Sequence, residues 1–450
     1  MPQAIRNDVL AAVALVILML QCTNKLLHSA KASIVQPLTN SPQRVITRTI
    51  WILSLVSLFN DVASEMLIPV MPMFLKQIGF SVLIIGILEG IAEAVAGLSK
   101  SYFGKQSDLS GKRLPFVQLG YILSAVSKPL MAVFIYPVWV FFARTLDRLG
   151  KGIRTGARDA MLSDEATPET KGRVFGFNRS MDTLGAVIGP STALIYLYFF
   201  PNDYRTLFLW SIVPGILVIL LTRIIKERPK PQTSNLILSG VEGKPNPERS
   251  RRETTNFFAF IPYWKKSSGA YKKLVSGLLL FALFNSSDVF LLLKMKETGL
   301  DDTAILGIYI FYNLIYALLA YPVGILADKL GLKKIFLLGL VAFAAVYTGF
   351  AFNNNLFVFI SLFALYGFYA AASEGISKAW ISNIVDKKET ATAIGTYTGF
   401  QSIAALIASS FCGLLWYNFG ARVTFLTTAV ITVSVIIYLA QYKITEKVSS

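Results

Sequence analysis

"GKQSDLSGKR" at residues 104–113 and "GILADKLGLKK" at residues 324–334 are two copies of one pattern, G-x-x-x-D-x-x-G-x-K/R, lying in opposite halves of a chain of 450 residues. Each copy follows a long apolar run and opens onto another. A glycine-bounded turn with one acid and a basic close suits a short loop between helices, and its acid can accept hydrogen bonds from a neighbouring helix N-terminus. A second echo supports internal duplication: "LFND" (58–61) recurs as "LFNSSD" (283–288). Glycine at x-x-x-glycine spacing elsewhere lets helix backbones approach closely.

The runs flanking these loops decide the class. Hydrophobic residues make up 54% of the chain and charged residues only 15%, which is a polytopic membrane composition. A spanning helix needs about 20 mostly apolar residues. Such runs fall near 50–75, 81–103, 114–135, 137–160, 174–199, 206–225, 274–295, 303–326, 334–352, 355–383, 391–416 and 423–442. The expectation is an all-α membrane protein of twelve transmembrane helices in two six-helix bundles, 46–225 and 274–445. Residues 226–273, with "KERPKPQ" and "KPNPERSRRE", read as a cytoplasmic linker, and "FFAFIPYWKKSSGAYKKL" at its end suits an amphipathic surface helix. Residues 1–45 read as an N-terminal extension whose apolar run "VLAAVALVIL" (9–18) is short for a span, leaving an extra helix and a dispensable extension both open.

The net charge of +17 forms no continuous tract of the kind nucleic acid needs. Basic residues such as Lys112, Arg113, Lys171, Arg173, Lys333, Lys334, Lys387 and Lys388 fill the gaps after even-numbered helices. The opposite gaps hold little beyond Lys76, Arg205, Lys296 and Arg422. This bias puts both ends of the twelve-helix body in the cytoplasm, in an inner (cytoplasmic) membrane. Cys22 and Cys412 lie in separate apolar runs, and the single histidine, His28, precedes the main body. Disulfide frameworks, metal sites, cofactors and histidine chemistry in the core are not suggested, and no G-x-x-x-x-G-K-S/T loop points to an enzyme.

The residues resemble the major facilitator superfamily from about residue 48 to 442. Gly104, Asp108, Gly111, Lys112 and Arg113 match its loop motif, and Gly324, Asp328, Gly331, Lys333 and Lys334 match the repeat of it. "ARTLDRLGKG" in helix four resembles the family's arginine-centred motif, with Arg144 in the arginine place and Arg148 where glycine is usual. Gly176, Gly185, Gly189 and Pro190 in helix five fit G-x8-G-x3-G-P, a motif that the resemblance links to exporters exchanging substrate for protons; Ala193 and Leu194 replace its closing glycines. "NSSDVFLLLK" adds to the likeness to one bacterial branch. In that fold helices one, four, seven and ten line a central cavity.

Charges inside the apolar runs carry the functional expectation. "FNDVASEMLIP" (59–69) places Asp61 and Glu65 one helical turn apart, and Glu89 and Glu93 repeat the spacing in helix two. Helix four carries Arg144, Asp147, Arg148 and Lys151 on one face, helix five Arg179 and Asp182, helix seven Asp288, and helix ten Glu374 and Lys378. Helix three has only Lys128, read as lying towards its outer end. Such charges need water, a partner or a proton. Asp61, Glu65, Glu89, Glu93 and Arg144 are candidates for proton coupling; Asp147, Arg148, Asp288, Asn313, Glu374 and Lys378 for the substrate cavity, with Gln401 a further polar contact. Phe59, Phe284, Phe290, Tyr312, Tyr316, Tyr366 and Tyr369 are candidate aromatic walls or ordinary packing. The alternative for the charges is internal pairing, Arg144 with Asp61, Arg179 with Asp182 and Lys378 with Glu374. The functional expectation is a monomeric, proton-coupled secondary transporter, an exporter of a small molecule by alternating access. An importer or facilitator that clamps an anionic metabolite with Arg144, Arg148 and Lys151 is the rival, and a non-transporting receptor or scaffold on the same fold is another.

Overall fold

The structure is a computed structural model that describes residues 45–225, 227 and 260–441, except 69, 72, 73, 76, 77, 80, 81, 135, 287 and 301. The N-terminal extension and most of the linker lie outside the described residues.

The chain runs as α1 (Arg48–Glu65), α2 (Val82–Ser110), α3 (Leu114–Val133), α4 (Pro137–Asp164), α5 (Lys171–Phe199), α6 (Tyr204–Trp210), α7 (Ile212–Ile224), α8 (Phe260–Lys266), α9 (Gly269–Ala282), α10 (Val289–Glu297), α11 (Asp302–Leu330), α12 (Leu332–Phe352), α13 (Leu356–Ile384) and α14 (Thr390–Gln441). The twelve expected spans are all found. Spans six and seven each consist of two helices, α6 with α7 and α9 with α10, and spans eleven and twelve join in α14, bent where Gly420 takes φ 78°. Among the described residues, six stretches are long and apolar enough to cross a membrane by composition. The long helices α2, α4 and α5 are not among them, and each carries charges inside its run.

Span one is interrupted: its first helix ends at Glu65, turns follow at 66–68 and 70, and helix resumes at the described residues 71, 74 and 75. The two echoes also diverge in structure. "LFND" stays inside α1, whereas Asn285, Ser286 and Asp288 of "LFNSSD" fall where span seven opens between α9 and α10.

Apolar side chains at Val138, Phe142, Phe199, Phe357, Leu406 and Val430 are exposed on the outside of the bundle, as a lipid-facing belt requires. The two halves meet chiefly where α5 crosses α11 and where α2 crosses the first part of α14. Both crossings are close. A Cβ on Gly176 would come within 2.5 Å of Ala320 O, and one on Gly104 within 2.5 Å of Ala391 O, so glycine sets the approach. Within the first half, Gly185 and Gly189 let α5 lie on α1, with Leu58 O and Met66 N each 2.7 Å from where a Cβ would stand. Pro190 follows inside the same helix.

Candidate functional site

At the end of the bundle carrying the basic loops, the two halves are tied by a pair of equivalent contacts. Asp108 Oδ2 accepts from Thr392 N at 2.7 Å and Thr392 Oγ1 at 2.8 Å, at the N-terminus of α14. Asp328 accepts from Gly172 N at 2.7 Å and Arg173 N at 3.0 Å, at the N-terminus of α5. Each carboxylate thus meets unsatisfied amides and the positive end of a helix in the other half. Gly111 (φ 66°) and Gly331 (φ 99°) turn the chain just after each acid. Arg113, fully buried, spans Asp108 Oδ1 (3.2 Å), Asp164 Oδ2 (2.6 Å) and Lys387 O (2.8 Å). Lys171 Nζ donates to Ser382 O at 2.7 Å, and burial together with Lys387 lowers its ammonium to about 8. Burial pushes the Asp108 carboxyl up, opposed by Arg113 and by the bonds from Thr392.

Deeper in, the charges form a continuous array. Lys128 on α3 is 2% exposed and reaches Asp147 Oδ1 at 3.2 Å, while Arg144 sits 3.5 Å from Asp147 Oδ2. Lys128, towards the outer end of helix three, is therefore buried and paired within the bundle. Ser124 Oγ donates to Asp147 Oδ1 (2.9 Å) and accepts from Arg154 Nη1 (2.8 Å). Arg154 also lies over the Tyr121 ring at 4.6 Å, and Tyr121 Oη is 3.1 Å from Ser57 Oγ, one turn from Asp61 on α1. Arg158 donates to Ser57 Oγ (3.0 Å) and pairs with Asp159 (2.9 Å) and Asp182 (3.6 Å).

Asp61 and Glu65 lie beside this array without joining it. Asp61 Oδ1 accepts from Asn60 Nδ2 at 3.1 Å, with Asp182, Arg154 and Lys151 within electrostatic reach. Glu65 faces Asp61, Lys151, Arg148 and Arg179. Among the described residues, neither carboxylate makes an ion pair within 4.0 Å.

Two of the expected pairings are replaced by others. Arg144 pairs with Asp147, one turn along its own helix, and not with Asp61. Lys378 pairs across the halves with Asp159 at 2.8 Å, and Glu374 pairs across the halves with Arg179 at 3.6 Å, so the two do not pair with each other although one turn apart. Arg179 and Asp182 do pair, at 3.5 Å. Glu89 and Glu93 ride on α2, their side chains outside the described residues.

In the second half Asp288 stands at the break between α9 and α10 and accepts from Tyr366 Oη at 2.7 Å. Around it Tyr312, Tyr316, Tyr366 and Tyr369 pack ring to ring at 5.1–6.2 Å, which makes these expected wall residues a connected aromatic cluster. Asn285 Nδ2 donates to Tyr369 Oη at 3.0 Å, and a small cavity beside it is lined by Ser373, Glu374, Ser377, Tyr397 and Gln401. Asn313 is buried and donates back to Tyr309 O of its own helix.

Sequence reading overlooked Arg154, Arg158 and Asp159. Helix four was expected to end near 160, and its charges were named only as far as Lys151. Arg154 and Arg158 continue the spacing of Arg144, Arg148 and Lys151 on the same face, a signal the pattern already carried.

Two related helix bundles, closed at one end and enclosing charges and aromatics between them, define a membrane transporter rather than an enzyme. The family model described as Major Facilitator Superfamily matches residues 53–311 and 274–449, and the chain belongs to that family. An uncharacterised transporter of this type from Methanocaldococcus jannaschii is 31% identical over 395 residues, 88% of this chain and 94% of its own length. Citrate exporter 1 of Aspergillus niger is 21% identical over 63% of this chain and 55% of its own. The human organic anion transporter MFSD10 superposes with a TM-score of 0.69 at 15% identity, covering 89% of this chain and 100% of that one, which shows the shared fold.

Proposed function

We propose that the protein is a proton-coupled exporter of a small molecule, working as a monomer by alternating access in the inner membrane with both ends of its twelve-helix body cytoplasmic. The observation that carries this reading is the pair Asp61 and Glu65, two interior carboxylates one turn apart that, among the described residues, make no ion pair although they lie beside an array knit together by ion pairs. Such groups take up and release protons as their surroundings change. The glycine and proline pattern of α5 and the similarity to a citrate exporter support the outward direction. Arg144, Arg148 and Lys151 as an anion clamp are less favoured, because Asp147 already holds Arg144.

The test compares metabolites and toxic compounds retained by cells with and without the gene, with the proton gradient intact and collapsed. The expected result is a set of compounds retained without the gene, the difference vanishing on collapse. A difference that survives collapse marks a facilitator and contradicts the proposal.

A further inference from the structure

Six side chains of alternating sign close a ring between the halves. Glu374 meets Arg179 at 3.6 Å, Arg179 meets Asp182 at 3.5 Å, and Asp182 meets Arg158 at 3.6 Å. Arg158 meets Asp159 at 2.9 Å and Asp159 meets Lys378 at 2.8 Å, one helical turn from Glu374 on α13. Three carboxylates and three cations balance. The two links that cross the halves hang on Arg179 and Asp159, and both are held in place through Asp182 and Arg158.

Asp182 is the weakly held member. It is 5% exposed, and among the described residues its Oδ1 makes no hydrogen bond, only the long approach of Arg158. Asp182 is faced by Arg158 from α4, Asp61 from α1 and Tyr316 from α11, beside Arg179 on its own helix. Asp61 in turn is faced by Asp182 from α5, by Arg154 and Lys151 from α4, and by Glu65 one turn along α1. α1 and α5 touch at Gly185, where an added Cβ would stand 2.9 Å from Asp61 Cβ, so the two carboxylates cannot drift apart while the helices stay packed.

We propose that closure of the basic end requires a single negative charge shared by Asp61 and Asp182, and that Asp182 is the positioning residue through which proton loss at Asp61 opens it. This rests on the proton-coupled reading above. With Asp61 protonated, Asp182 alone supplies the charge the ring needs. When Asp61 gives its proton to water, two anions stand side by side, and Arg158 and Arg179 are drawn towards the pair and away from Asp159 and Glu374. The cross-half links loosen. Two charges open the end, one closes it, and none leaves Arg158 and Arg179 repelling each other, which opens it again.

This counting gives a distinctive test. Spin labels on Lys112→Cys and Lys388→Cys, exposed in loops of opposite halves, report the gap at the basic end of the full chain in lipid nanodiscs, with Cys22 and Cys412 replaced by serine. Distances are read from about pH 5 to about pH 8, where a perturbed carboxyl titrates. In the otherwise unaltered protein the open population rises with pH, by roughly tenfold or more. Asp61→Asn stays closed throughout. Asp182→Asn shows the opposite slope, closing as pH rises because ionised Asp61 replaces the lost charge, and the double variant stays open. Asp61→Asn retaining the original slope overturns the proposal, as does a folded Asp182→Asn protein that behaves like the parent; if Asp182→Asn fails to fold, Asp61→Asn decides alone. A gate that follows this pattern in a protein without gradient-driven transport ends the coupling reading and leaves the ring standing. Loss of transport in Asp61→Asn with a normal gate does the reverse.

Discussion

Lys378 Nζ lies 2.8 Å from Asp159 Oδ2, an ion pair that joins α13 of the second half to α4 of the first with Asp159 only 1% exposed. Taking away the cation leaves Asp159 with Arg158 alone and the buried array one negative charge in excess, at a cost of up to about 3–5 kcal/mol, whereas neutralising both members keeps the array balanced and costs less. Lys378→Gln should therefore weaken the closed state far more than the double variant Asp159→Asn, Lys378→Gln. Thermal unfolding in detergent checks the order. A double variant as unstable as the single one would show that the pair is not the source of the loss.

The two loop acids should act locally and separately. Asp108→Ala removes the acceptor for Thr392 N, and Asp328→Ala removes those for Gly172 N and Arg173 N. Each should cost about 0.5–2 kcal/mol at one helix start. Amide hydrogen exchange should rise at residues 391–393 in the first variant and at 172–174 in the second. Equal rises at both places in either variant would mean that the ends open as one unit.

Lys171 predicts a pH effect with a definite sign. In the closed state burial and Lys387 hold its ammonium at about 8, and on opening it returns to the ordinary value of about 10.4. The closed state binds fewer protons between these values, so raising the pH from about 8 to about 10 stabilises closure, and below about 8 the effect is flat because both states are charged. The open fraction reported by labels at 112 and 388 should fall over that range relative to Lys171→Met, which carries no ammonium there. Identical curves for the two proteins would contradict the assignment.

Gly185 is where packing and chemistry meet. A methyl there would stand 2.7 Å from Leu58 O and 2.9 Å from Asp61 Cβ, so Gly185→Ala should push α1 from α5, cost about 1–3 kcal/mol and disturb Asp61. Gly307, within α11, has open space in place of a Cβ, and Gly307→Ala should be neutral or stabilising by up to about 1 kcal/mol. Melting temperatures of the two variants test the contrast; a Gly185→Ala protein as stable as its parent would show that the helices have room to spare.

Much of the fold was legible because membrane spans announce themselves by length and because the loop copies at 104–113 and 324–334 mark equivalent places. The role of Asp108 and Asp328 at opposite helix starts also followed from the loop pattern. Pairing did not. Lys378 and Glu374 are one turn apart and look like partners in sequence, yet side chains on one helix face lose to partners presented by the other half, Asp159 and Arg179. Arg158 and Asp159 were passed over because the end of an amphipathic stretch cannot be told from a solvated rim without knowing what packs on it. The opening of span seven at 283–288 was hidden for a similar reason, since an apolar run reads the same whether or not its helix is continuous.

The central claim is that Asp61 and Glu65 carry the exchangeable protons. Infrared difference spectra of the purified protein in lipid, recorded as the pH is stepped between about 5 and about 8, follow protonated carboxyl groups directly and need no knowledge of the cargo. The account predicts a carboxyl band that appears at low pH, shrinks in either Asp61→Asn or Glu65→Gln, and is absent from the double variant. A band unchanged in the double variant would place the protons elsewhere and contradict the account.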